Sequence, residues 1–218
     1  MRSMWGYLSV AVVLCLLSAS CATTTPAPAP EKSEAPPDAF RNWRVTDFGG
    51  SGAVRFEGDT IVLEMGNDLT GVNWTGPLLR MNYEITLDAM RVEGNDFFCG
   101  LTFPYGDDPC SLIVGGWGGT CVGLSSLDFN DAYNNETARF ITFDTGRWYR
   151  IRLRVTKEKI QAWIDGNQIV DVETAGRKIG IRFEVERSVP LGISSWRTTA
   201  AIRNFQQSPI TDVPSAAE

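Results

Sequence analysis

"GRWYRIRLRVTKEKIQAWIDGNQIV", residues 146–170, alternates apolar and charged residues along most of its length. Tyr149, Ile151, Leu153 and Val155 fall on one side of an extended chain, and Arg150, Arg152 and Arg154 on the other. Successive side chains of a strand point to opposite faces, so the run predicts one apolar and one wet face. Lys157-Glu158 turns the chain, and Ile160, Ala162 and Ile164 form the inward row of a second strand. Asp165-Gly166 suits the positive φ of a tight hairpin, after which Ile169 and Val170 resume the sheet. The arginines need water or an acidic neighbour. Arg182, Glu184 and Glu186 alternate with Ile181, Phe183 and Val185 and are the expected cross-strand charge partners.

The same period-two pattern recurs across the chain, punctuated by Gly, Asp, Asn and Pro. It predicts strands at Ala53–Phe56, Thr60–Met65, Asn82–Val92, Asp96–Phe103, Ser111–Trp117, Thr120–Ser125, Arg139–Phe143, Trp148–Thr156, Lys159–Ile164, Gln168–Glu173, Ile179–Val185, Leu191–Trp196 and Thr199–Phe205. No stretch beyond the apolar N-terminus keeps a helical period. Many short strands joined by tight turns mean an all-β antiparallel sandwich or barrel.

Composition excludes several chemistries. The 218 residues contain no histidine, which removes Ser-His-Asp and Cys-His catalysis, HExxH zinc sites and imidazole proton shuttles. The formal net charge of −6 argues against nucleic acid as a partner, since phosphate recognition wants a basic excess.

Residues 1–20 read as an export signal: Arg2 is the only charge, and "YLSVAVVLCLLSAS" is an apolar core ending in small residues. "LLSASC" is similar to a bacterial lipobox, which implies lipid attachment at Cys21 and a membrane-anchored protein of the cell envelope. Ordinary cleavage after Ser20 is the alternative. Ala22 follows the cysteine, and by resemblance to Gram-negative lipoproteins the absence of aspartate there implies the outer membrane. Residues 21–39 are Pro/Ala-rich and cannot bury apolar surface, so they are expected to form an extended tether. The folded domain is expected over residues 40–207, with a flexible tail at 208–218. Cys99, Cys110 and Cys121 lack the spacing of a zinc ribbon and lie in strand-like runs. They are expected as buried free thiols, with one disulfide as the alternative.

The opening stretch resembles the strand–strand–DG–strand signature of laminin-G-like and concanavalin-A-like jelly rolls. With "NDFFCGLTFPYGDDPCSLIVGGWGGTCVGLSS" (95–126) and "IGIRFEVERSVPLGISSWRTTAAIRNF" (179–205), it resembles the 3-keto-disaccharide hydrolase-like domain family over about Trp43 to Phe205. The resemblance implies a two-sheet antiparallel jelly-roll sandwich whose concave face receives a glycan. Glycosidases need two carboxylates at defined separation. The E-x-D-x-x-E strand of laminarinase-type jelly rolls is absent: Glu57-Gly58-Asp59 begins it, but Val62 stands in the last place.

Four carboxylates are the candidates for acid or base chemistry. Asp96 opens the "DFFCGLTF" strand, Glu184 lies on the polar side of a later run, and Asp128 and Glu136 sit in "SSLDFNDAYNNET". That loop also carries Asn130, Asp131, Asn134 and Asn135, hard oxygen donors of the type that bind calcium or sugar hydroxyls. Its spacing departs from the EF-hand, because Tyr133 stands where glycine is required, and no other cofactor is expected. In "IVGGWGGTCVG" the glycines either make a flat floor with Trp117 as a sugar platform, or a tight turn with Trp117 capping the core. Trp117, Arg182 and Asn134 are the candidate substrate-binding residues. In a 3-keto sugar the ketone acidifies the neighbouring C–H, so one base and an oxyanion donor suffice for β-elimination followed by water addition. Three functions stand at this point: an envelope-anchored saccharide-recognising domain, a hydrolase or lyase acting on 3-keto-glycosides, and a structural envelope domain that binds protein.

Overall fold

A computed structural model describes residues 37–211; the signal segment, Cys21, most of the tether and the end of the tail lie outside the described residues. A 3-10 turn at Asp38–Phe40 buries Phe40 and leads into the sandwich. The strands are, in order, β1 Trp43–Thr46, β2 Val54–Glu57, β3 Thr60–Leu63, β4 Leu69–Trp74, β5 Tyr83–Gly94, β6 Cys99–Tyr105, β7 Asp108–Gly115, β8 Cys121–Ser125, β9 Arg139–Phe140, β10 Trp148–Val155, β11 Lys159–Ile164, β12 Asn167–Glu173, β13 Gly192–Trp196 and β14 Thr198–Pro209. They form two seven-stranded antiparallel sheets, ordered β1-β4-β13-β6-β7-β8-β9 and β12-β11-β10-β5-β14-β3-β2. This is the expected jelly-roll sandwich.

The period-two rows do what the sequence pattern demands. Tyr149, Ile151, Leu153 and Val155 of β10 are buried, as are Ile160, Ala162 and Ile164 of β11. They share one core with Leu101 and Phe103 of β6 and Leu112 and Val114 of β7. Each of the larger aliphatic side chains contributes about 1.5–3 kcal/mol by leaving water, so this row decides the fold. Asp165 and Gly166 both take positive φ, +49° and +80°, as their hairpin requires.

The charge ladder forms with a different strand from the expected one. Arg154 lies opposite Glu84 and Arg150 opposite Asp88 in the β10–β5 register. Arg154 Nε is 2.9 Å from Glu84 and Arg150 Nη1 3.0 Å from Asp88. Arg152 stacks on Trp163, its register partner on β11, at 3.8 Å from the ring centre. Residues 179–185 do not make the expected strand. Ile179 forms one bridge to Leu127, and Phe183–Ser188 wind into a 3-10 turn that meets β13 and β4. The alternation there is real, yet Phe183 is 82% exposed while Val185 is buried, so the segment crosses a sheet instead of joining it. The structure adds β1 and β4, which the sequence pattern leaves unmarked.

Candidate functional site

The outer face of the first sheet is built from small and hydroxylic residues. Paired residues of an antiparallel ladder share a face, and the registers align Gly71, Ser194, Gly100, Ile113 and Gly123 in one row. The next row is Asn73, Gly192, Thr102, Ser111 and Ser125. Short side chains leave room above the sheet, and the segments that follow β8 and precede β13 lie across it. A Cβ on Gly123 would come within 2.9 Å of Thr137, and one on Gly192 within 2.8 Å of the Ser188 carbonyl.

Between this floor and the 3-10 turn lies a cavity of about 240 Å³. Trp117, Trp196 and Phe97 provide aromatic walls, Ser111 and Ser125 the hydroxyls, and Asp96, Arg182 and Glu184 the charges. Ser111 Oγ is 2.9 Å from Thr102 Oγ1, whereas the buried Ser125 Oγ has no protein partner among the described residues. A second hollow of about 270 Å³ lies beyond Glu184 and Trp196 and is lined by Phe48, Asp68, Phe183 and Arg187.

Trp117 owes its place to a buried cation. Arg91 is 6% exposed, and its guanidinium donates to the carbonyls of Gly119 at 2.8 Å, Asp96 at 3.2 Å, Phe143 at 3.3 Å and Gly115 at 3.4 Å. It also lies 5.1 Å from the Phe98 ring centre. Burial lowers the Arg91 pKa from its ordinary value, partly offset by the charge of Asp96. The glycines of "GGWGG" follow from this contact. A Cβ on Gly115 would sit 2.6 Å from Arg91 Nη2, and Gly115, Gly118 and Gly119 all have positive φ. Trp117 itself is left-handed, with φ +48°, and 38% exposed. Gly116–Gly119 therefore forms a tight turn, and its tryptophan walls the cavity.

Asp96 anchors that turn from outside. Its Oδ1 accepts from Phe97 N at 2.7 Å and its Oδ2 from Gly118 N at 3.2 Å. At the other wall, Arg182 donates to both oxygens of Glu184, at 2.7 and 3.2 Å, and to Asp131 Oδ2 at 2.9 Å. These bonds hold the Glu184 carboxyl below the usual range.

The structure thus brings Asp96, Trp117, Arg182 and Glu184 together. It does not bring Asp128, Glu136 and Asn134 to the same cavity. Asp128 and Glu136 both face Arg177, each at 2.6 Å. The Lys178 backbone N–H and Arg177 keep the Asp128 carboxyl low, and Arg177 does the same to Glu136. Asn134 donates to Asp131 at 3.0 Å. Asp128 and Glu136 are thus paired with Arg177, and Asp131 with Arg182. Among the described residues no group of three or more acidic, Cys or His side chains is disposed to hold a metal.

Sequence reasoning missed Arg91, Ser125 and Trp196. Arg91 had a signal: it continues the inward row Tyr83, Ile85, Leu87, Ala89 of β5, where a charge has to find internal partners. Ser125 and Trp196 had none, because their common cavity depends on sheet order.

Solved structures with the same fold are distant in sequence. A Bacillus subtilis protein of unknown function with a galectin-like fold aligns at TM-score 0.52 and 14% identity, over 78% of this chain and 90% of its own. The apo Crh5 transglycosylase aligns at 0.51 and 14%, over 79% of each chain. The carbohydrate-binding module CBM66 from Bacillus subtilis aligns at 0.49 and 12%, over 77% of this chain and 95% of its own. No curated protein matches the sequence. Residues 59–207 match the 3-keto-alpha-glucoside-1,2-lyase-like domain, so the chain belongs to that family.

Proposed function

We propose that the domain binds a saccharide, with one sugar ring in the cavity over the first sheet, the counterpart of the concave face expected from the resemblance. The convergence of two indoles, a hydroxyl floor and an ion-paired rim in one hollow carries the reading. A pyranose has apolar C–H faces and a hydroxyl edge. Trp117 and Trp196 suit the faces. Ser125, Arg182 and Glu184 offer donors and acceptors for the edge. Pockets for drug-sized ligands run to roughly 300–1,000 Å³. A cavity of about 240 Å³ is sized for a single ring.

Family membership favours a second reading, cleavage of a 3-keto-α-glucoside. A carboxylate would take the proton beside the ketone, the C1–oxygen bond would break with departure of the aglycone, and water would add to the enone. Asp96 and Glu184 are the two carboxylates in reach of the cavity. Both oxygens of each already accept hydrogen bonds, and Glu184 is held acidic, which makes it a weak base. Recognition without turnover is therefore the reading these groups support best. Both are tested by giving the domain from Asp38 onward a panel of 3-keto disaccharides and their parents. Heat on titration without monosaccharide release by mass spectrometry supports recognition. Release abolished by Asp96→Asn or Glu184→Gln, with folding intact, supports cleavage.

The proposal includes display at the cell envelope, supported by "LLSASC" and the polar spacer after it. Cys21→Ser is expected to move the protein from the membrane fraction to the soluble fraction, and unchanged fractionation would remove the lipid anchor.

A further inference from the structure

Three exposed aromatic rings run from the mouth of the cavity toward the edge of the first sheet. Trp117 and Tyr133 have ring centres 6.1 Å apart and planes tilted by only 32°. Tyr133 and Phe140 follow at 5.6 Å. The three are 38%, 48% and 62% exposed. The β8–β9 register sets Phe140 opposite Cys121. Cys121 alternates onto the same face as Gly123 and Ser125, whose partners Ile113 and Ser111 line the cavity. Cavity and aromatic row therefore open on one face. β9 is the last strand of its sheet, so the row ends at an open edge.

No core contact requires this exposure. Tyr133 and Phe140 belong to neither buried cluster, and three linked exposed rings on a folded domain mark an interaction surface. The row is narrow and has polar groups beside it: the Tyr133 hydroxyl and the neighbouring Asn134 amide, which donates to Asp131. A protein interface core is broader. A sugar chain, with apolar ring faces and hydroxyl edges repeating along it, matches separate rings with polar groups beside them.

We propose that Trp117, Tyr133 and Phe140 form a track for the outer units of a linear oligosaccharide whose terminal ring occupies the cavity, so that the ligand is a chain and not an isolated mono- or disaccharide. The inference rests on the saccharide reading of the cavity. Each added ring stacked on an aromatic side chain strengthens binding by about two- to tenfold.

The test is calorimetry of the domain from Asp38 onward with malto-, cello- and chito-oligosaccharides of one to six rings. At least one series is expected to tighten about tenfold or more between the single ring and the longer chains. Tyr133→Ala and Phe140→Ala should flatten that gain while leaving single-ring affinity unchanged. Both side chains are exposed, and thermal melting of each variant checks that the fold is kept. Equal affinity at all lengths would overturn the track and leave the cavity reading standing. A length gain removed by Phe183→Ala, on the second hollow, and not by Tyr133→Ala would also overturn it, because the chain would then run the other way. Absence of binding at every length in every series would overturn both.

Discussion

At the scale of single residues, Arg91 is the side chain on which the site depends most. Its charge is buried without a carboxylate in hydrogen-bonding contact: Nη1 and Nη2 donate to four carbonyls, and Nε has no partner among the described residues. Removing it strands those carbonyls and the fold of the "GGWGG" turn together. Arg91→Met is expected to cost about 2–4 kcal/mol in denaturant unfolding, the scale of several buried acceptors losing their donor. The same variant should weaken saccharide binding by displacing Trp117. A variant of wild-type stability would show that the turn holds its shape by glycine conformation alone. Gly115→Ala makes the complementary case. Its Cβ would press on Arg91 Nη2 and on the Phe98 ring, at a position with φ +80°, so it too should destabilise.

At the scale of elements, β10 to β12 were fully legible and the crossing segment was not. The alternation in "RWYRIRLRV" is long, and its hairpin has a chemical reason at Asp165-Gly166. "IGIRFEVE" alternates as well, but only Val185 of its apolar residues is fully buried, and the chain has left the sheet before Phe183. Periodicity reports which side chains alternate and does not report whether a neighbour strand is there to pair. β4 was illegible for the opposite reason: Gly71 and Asn73 resemble turn residues, yet they are strand positions kept small or polar on the cavity face. Elements distant in sequence are also tied by charge. The largest effect at Asp128 comes from the Lys178 backbone N–H, and at Glu136 and Glu184 from an arginine side chain; all three carboxyls lie below their ordinary values. At Asp88 burial alone would raise the value, but bonds from Asn204 and Arg150 outweigh it and lower it. A carboxyl with a folded pKa below its unfolded one stabilises fully above the unfolded value. That contribution is lost as pH falls through the folded value. Stability is therefore expected to be flat from neutral pH to about 5 and to fall below about 4. Urea midpoints measured across that range check it, and a midpoint that rises on acidification would contradict it. Arg177→Ala should reduce the acid-dependent part, since Asp128 and Glu136 share that partner.

At the scale of the whole molecule, the sandwich shields its thiols. Cys99 and Cys110 are fully buried, and burial pushes both pKa values up to about 12; burial pushes Cys121 up to about 11. The thiolate is the reactive form, so all three should resist a neutral-pH thiol reagent in the native state and react in denaturant. Rapid native labelling of Cys99 or Cys110 would mean that the two sheets part locally. Composition excluded histidine chemistry and the alternation delivered the class of fold, because both are properties of the chain itself. The cavity is a property of sheet order. Asp96 and Trp117 could be picked out as unusual, but their meeting with Arg182, Glu184 and Ser125 required β7, β8 and the 3-10 turn to be assembled around one floor. Asp128 and Glu136 carried the same apparent promise in sequence and are turned to Arg177 instead.

The central claim is that this floor, walled by Trp117, takes a sugar ring. The most direct measurement is calorimetric titration of the domain from Asp38 onward with the 3-keto and parent sugar panel, beside Trp117→Ala. Trp117 is 38% exposed, so its truncation should change stability by no more than about 1 kcal/mol. The account predicts saturable binding of at least one saccharide, weakened about tenfold or more in the variant. Equal affinity of the two proteins would contradict it, as would no heat with any sugar.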